Sequence, residues 1–151
     1  MSNNYISLPN QKTGCYSFDI SPIISCPGRT ELCEKFCYAK NLVNIYPNVK
    51  SYYQTNFEFS KSRKFVNYMI KNIKDDCQFR IHVSGDFYSA GYLRKWQKII
   101  KAKPNVIFYS YTRSWLIPEI LKEIIITQEL HNININLSLD DETNIPTFSG
   151  A

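Results

Sequence analysis

The sequence predicts an α/β fold: a parallel sheet of at least four strands with its helices on one face. Three observations lead there. Short stretches that alternate apolar and polar residues take turns with stretches whose apolar residues recur at the helical period. Strands separated by helices connect through right-handed crossovers and therefore run parallel. Each predicted strand also carries polar residues at one parity: Ser17 and Asp19, then His82 and Ser84, then Ser110 and Thr112, then Asn134, Asn136 and Ser138. A parallel strand covered on both faces is apolar throughout, so these four predict a sheet with helices on one side and a polar cavity on the other. A sheet with one face in solvent explains the alternation equally well, but not a cysteine loop at its carboxyl edge.

Taken in order, residues 1–14 are polar, contain Pro9 and Gly14, and read as an extended N-terminal arm; residues 15–151 read as one α/β domain. Residues 16–21 alternate and form the first strand, which ends at Pro22. Glu31 to about Val43 reads as a helix capped by Thr30, and Pro47 permits a second start, with residues 48–59 helical. From Ser60 to Ile73 the residues Phe65, Met69 and Ile73 keep the helical period. Residues 79–84 form the second strand and stop at Ser84-Gly85-Asp86. Leu93, Trp96 and Ile100 mark the next helix, Val106 to Thr112 the third strand, Ile117 to Ile125 another helix, and Ile133 to Leu139 the fourth strand. Asp140-Asp141-Glu142 begins the tail.

At 151 residues, 44% hydrophobic and 15% aromatic, the chain is long enough and apolar enough for one domain with its own core. No apolar run approaches a membrane span, and the first residues lack the basic-then-apolar order of a signal peptide, which predicts a cytosolic protein without a membrane partner. The net charge of +5 gathers in residues 61–74 and 94–103, two acid-free basic stretches. Solvated helix faces have this composition, and a nucleic-acid partner reached through these helices is the weaker reading.

Residues 26–38 carry the chemistry. Cys26, Cys33 and Cys37 fall within twelve residues, beyond the end of the first strand. Three thiolates so close can share a metal centre. A closed structural zinc site needs four protein ligands, whereas an iron-sulfur cluster with three leaves one iron open. Zinc completed by Cys15, Cys77 or a histidine stays open beside the cluster. Five cysteines, an odd number outside any small secreted framework, favour metal over disulfides.

Cys26-Pro27-Gly28 to Cys33, Phe36-Cys37-Tyr38-Ala39, residues 80–87 and residues 108–115 together resemble the phage gene product 88 family. The match covers about residues 14–140. More distantly, the pattern resembles a shortened radical S-adenosylmethionine (SAM) protein, although six and three residues separate these cysteines where the common spacing is three and two. That resemblance implies a partial, half barrel and a 4Fe-4S cluster on Cys26, Cys33 and Cys37. It also implies SAM chelating the open iron, with an electron from the cluster cleaving its sulfonium carbon–sulfur bond.

Ser84-Gly85-Asp86 stands where such proteins hold the SAM amino group. Asp86 would pair with the ammonium, Ser84 would take the carboxylate, and Ser110, Thr112, Asn136 and Ser138 would reach the ribose hydroxyls. His82, Asp19 and Arg113 are the catalytic candidates, each with an ordinary structural role as its alternative. The implied protein is a radical-SAM-like iron-sulfur enzyme of unassigned substrate, acting in the host cytosol if viral, with an unidentified protein substrate or electron donor. The alternative is a non-catalytic zinc or iron-sulfur module associated with nucleic acid through its basic helices.

Overall fold

A computed structural model describes residues 4–143. Its strands are β1 (Tyr16–Phe18), β2 (Gln78–Ile81), β3 (Ile107–Thr112) and β4 (Ile133–Leu137). All three pairings are parallel and the strands lie in the order of the sequence, as adjacent crossover units require. The helices are α1 (Glu31–Lys35), α2 (Tyr38–Ile45), α3 (Pro47–Lys61), α4 (Phe65–Asn72), α5 (Ala90–Ala102) and α6 (Pro118–Gln128), and a single 3-10 turn spans Ser114–Leu116.

The expected long helix from Glu31 is broken at Phe36-Cys37, where Cys37 leaves the helical conformation and its Sγ accepts the N–H of Lys40 to cap α2. Proline at the first helical position starts both α3 and α6. Among the described residues, no helix is long and apolar enough to cross a membrane.

The core lies on one side of the sheet. Phe18, Phe79, Ile81, Phe108 and Ile135 point down onto Phe65 and Met69 of α4, Leu93, Trp96 and Ile100 of α5, and Ile120 and Ile124 of α6. Phe65 and Trp96 meet edge to face at 5.6 Å between ring centroids. The arm belongs to this body: Ser7 and Ser17 exchange backbone hydrogen bonds, and Tyr5 stacks on Phe59 at 3.8 Å.

The register corrects the expected polar face. Residues paired across a parallel ladder share a face, and Ser110 pairs with Ile81 and Ile135. Ser110 and Thr112 therefore belong to the helix side, where both are buried. The residues of β3 on the other face are Ile107, Tyr109 and Tyr111, beside Ser17, Arg80, Asn134 and Asn136. His82 also leaves the polar set. Its φ of 68° turns the chain over, and the imidazole enters the core against Phe87, Tyr92 and Trp96. The open face keeps Ile107 59% and Tyr111 50% exposed.

Candidate functional site

Beyond the carboxyl edge of the sheet, Cys26, Cys33 and Cys37 line one pocket of about 230 Å³ with Val83, Gly85, Asp86, Tyr111, Arg113 and Ser138. The loop after β1 thus arrives above the ends of β2, β3 and β4, the edge at which parallel sheets place their ligand sites.

Two glycines make that approach feasible. A Cβ on Gly28 would stand 2.1 Å from the Arg113 carbonyl oxygen, so Cys-Pro-Gly lies directly on the backbone that follows β3. Gly85 has φ +86°, and a Cβ there would meet Ile20 Cγ1 at 2.4 Å and Ser25 Oγ at 2.7 Å.

The loop carries strain and the means to hold it. Ile23 adopts φ 69°, rare for a β-branched residue. Its carbonyl accepts from the Cys26 N–H and from Arg29 Nη1, which also donates to the Cys26 carbonyl at 3.1 Å. Ser25 Oγ donates to the Ser21 carbonyl at 2.6 Å and accepts from the Asp86 N–H. From the other side, Thr30 Oγ1 accepts the Cys33 N–H and donates to Asp140 Oδ2 at 2.6 Å. That same oxygen lies 2.8 Å from Arg113 Nη1, and Glu142 accepts the Leu32 N–H at 3.0 Å. The acidic residues that read as the start of a tail instead clamp the first turn of α1.

Asp86 is buried at the meeting point of the motifs. Its carboxylate accepts from the Phe87 N–H (2.7 Å), the Thr112 hydroxyl (2.5 Å) and the Arg113 N–H (2.9 Å). Burial pushes its carboxyl above the usual range, and these donors oppose that shift. It does not cap α5, whose cap is Ser89. Burial, with the Asp86 charge nearby, pushes the Cys26 thiol up to about 12. Cys33 is raised by burial too, while the Arg113 guanidinium beside it pulls the other way.

The remaining sequence candidates are dispersed. Asp19 directly follows β1 and accepts from the Ser7 and Ser17 hydroxyls and from the Val83 and Ser84 N–H groups, tying arm, β1 and the turn after β2 together. Ser84 Oγ donates to the Ile20 carbonyl, Ser110 Oγ to the Ile81 carbonyl and Asn136 Nδ2 to the Ser110 carbonyl. Ser138 reaches the pocket, and its carbonyl accepts from Trp115 Nε1. His82 stays on the helix side of the sheet, its Nε2 2.7 Å from the Tyr92 hydroxyl.

Cys15 is buried before β1 with Sγ 3.0 Å from the Tyr109 hydroxyl, and Cys77 Sγ donates to the Lys74 carbonyl; neither lines the pocket. Among the described residues, no three His, Cys, Asp or Glu side chains are gathered tightly enough for one metal ion. Sequence reasoning missed Gly28, Arg29, Asp140 and Glu142; only the Pro-Gly after Cys26 signalled a turn, and nothing local pairs residue 30 with residue 140.

The family model described as gene product 88 matches residues 2–148. The Gene 88 protein of Mycobacterium phage L5 is 30% identical over 131 residues, an alignment that covers 78% of this chain and 53% of that protein. The Gene 88 protein of Mycobacterium phage D29 is 30% identical over 138 residues, covering 82% and 56% respectively. The chain thus spans about half the length of these relatives. No solved structure matches it.

Proposed function

The chain belongs to the phage gene product 88 family, and for this member we propose an iron-sulfur protein of radical-SAM-like type. In this reading Cys26, Cys33 and Cys37 hold a four-iron four-sulfur cluster, SAM occupies the shared pocket, and the open sheet is a partial barrel. The observation that carries the reading is the convergence of three thiols on one pocket at the carboxyl edge, together with a buried carboxylate and an arginine.

The donor set fits the group. Three soft sulfur ligands suit iron-sulfur chemistry, and ligation removes the protons that burial otherwise holds on Cys26 and Cys33. Bound there, a cluster supplies a single electron and an iron with a free coordination position.

The chain's own residues would bind and orient. Gly85, whose missing Cβ leaves room for Ile20 and Ser25, would let the loop after β1 close onto the turn after β2 and form that wall of the pocket. Asp86, fixed by three donors at the pocket wall, would be the acceptor that orients an ammonium group. Arg113, held by Asp140, offers its guanidinium to Cys33 and to a carboxylate in the pocket.

Anaerobic reconstitution followed by iron, sulfide and zinc analysis tests the reading. Each triad Cys→Ala variant should lose most of its iron, while Cys15→Ala and Cys77→Ala keep theirs. Undiminished iron in all three triad variants, or stoichiometric zinc without sulfide, overturns the cluster. A cluster whose paramagnetic resonance spectrum is unchanged by SAM overturns the ligand.

A further inference from the structure

Among the described residues, no helix covers the sheet face at β3 and β4 away from the helix layer, whereas the arm covers its β1 end through Ser7, Ser17 and Asp19. The strand residues of that face are Ser17, Gln78, Arg80, Ile107, Tyr109, Tyr111, Asn134 and Asn136, and Asp19, just after β1, is the one acid beside them. Asp19 adds no free charge to that surface, because it is 3% exposed and its carboxylate already accepts from two hydroxyls and two backbone N–H groups. The Arg80 guanidinium lies 5.3 Å from the Tyr111 ring centroid, and half of Tyr111 remains exposed. Tyr109 stands two residues back on the same face, its ring perpendicular to that of Tyr111 at 6.3 Å. Asn134 is exposed beside Tyr109.

Aromatic rings on an open sheet, a cation stacked on one of them, flanking amides and no competing acid are what unpaired bases and their phosphates require: rings to stack on, a charge for the backbone, and amides for base edges. A duplex offers neither its base faces nor a surface that lies flat on a sheet. We propose that this face binds single-stranded nucleic acid, with bases on Tyr111 and Tyr109 and the phosphate chain along Arg80. Tyr111 also lines the cysteine pocket, so a strand on this face runs toward that pocket. The proposal stands on the sheet face and holds with or without metal on the cysteines.

The structure also weakens the basic helices as the binding surface. Arg94 pairs with Glu123, Lys103 with Asp75 and Lys61 with Glu58, and Lys95 donates to the Ser60 and Ser62 carbonyls. Four of the ten basic residues that the sequence concentrates there are thus engaged.

Fluorescence anisotropy of the metal-free full chain with labelled oligo(dT) and oligo(U) of about 12 nucleotides tests the proposal. Tyr111→Ala and Arg80→Ala should each weaken binding about tenfold, Arg80→Ala should also flatten the salt dependence, and the double variant Lys98→Ala/Lys101→Ala should change little. Asn134→Glu, a change at an exposed position that leaves the core untouched, should weaken binding by a similar factor, so the test survives if Tyr111→Ala fails to fold. Preference between dT and U separates DNA from RNA. Absence of binding, equal binding of a duplex, or loss on the helix variant with the sheet variants unaffected overturns the proposal.

Discussion

Two residues show how much one position carries in this fold. His82 is fully buried, with Nε2 on the Tyr92 hydroxyl and no partner for Nδ1 among the described residues. Burial, helped by the charge of Arg80, depresses its pKa from 6.5 to about 3. Below pH 6.5 the unfolded chain takes up a proton that the folded chain refuses, so this contribution is complete above pH 6.5 and is lost as the pH falls toward 3. The upper bound is about 5 kcal/mol. Asparagine tolerates the positive φ. His82→Asn should therefore be less stable at neutral pH, through lost packing, yet show a flatter decline of urea midpoint between pH 7 and 5 than the parent. Gly28 acts by size alone. Gly28→Ala puts a methyl group against the Arg113 carbonyl, where backbone must move, at a cost of about 1–3 kcal/mol. Its signature is a cysteine loop that becomes sensitive to protease while the far-ultraviolet circular dichroism is kept.

At the scale of elements, helix α1 is short, buries no side chain, and depends on what reaches its first turn. Thr30, Asp140 and Glu142 supply that support, and Arg113 holds Asp140 in place. Asp140→Ala should release the turn, and alkylation of Cys33 in the metal-free protein should become severalfold faster while Cys15 stays protected. An unchanged Cys33 rate would show that α1 holds without the clamp.

Strand β4 meets its own device at the free edge of the sheet. Gln128 Nε2 donates to the Ile135 carbonyl at 2.7 Å, and Gln128 Oε1 accepts the Ile135 N–H at 3.0 Å, so a side-chain amide stands in for a fifth strand. Gln128→Ala should expose that edge and raise the sedimentation coefficient in a concentration-dependent way. A strictly monomeric variant with unaltered hydrogen exchange at Ile135 would remove this role.

Across the whole molecule, stability is unevenly distributed. The sheet, α4, α5 and α6 share one apolar core, while α1 and α2 contribute no buried residue and the cysteine loop is fastened by polar contacts and two glycine approaches. A ligand that binds only the folded loop stabilises it by an amount that grows with the logarithm of its concentration over its dissociation constant. Reconstitution with iron and sulfide should raise the thermal midpoint and protect residues 24–40 from proteolysis, and chelation should reverse both. A loaded protein with unchanged midpoint and cleavage would separate the metal from the loop.

What the sequence by itself determined was the order and direction of the elements: β1 to β4 by short-range alternation, α4 to α6 by their apolar period, and a parallel sheet because helices separate the strands. It also placed Cys26, Cys33 and Cys37 at the carboxyl edge, since each βα connection leaves the sheet there. Only the tertiary structure decided which side of the sheet a polar residue faces. Ser110 and Thr112 share the parity of Phe108 and point into the helix layer, where Ser110 finds the Ile81 carbonyl and Thr112 finds Asp86. His82 leaves its parity because one positive φ reverses the pleat. Parity within a strand is a local property, whereas register between strands and the partners of residues such as Thr30 and Asp140, 110 positions apart, exist only after the chain has closed on itself.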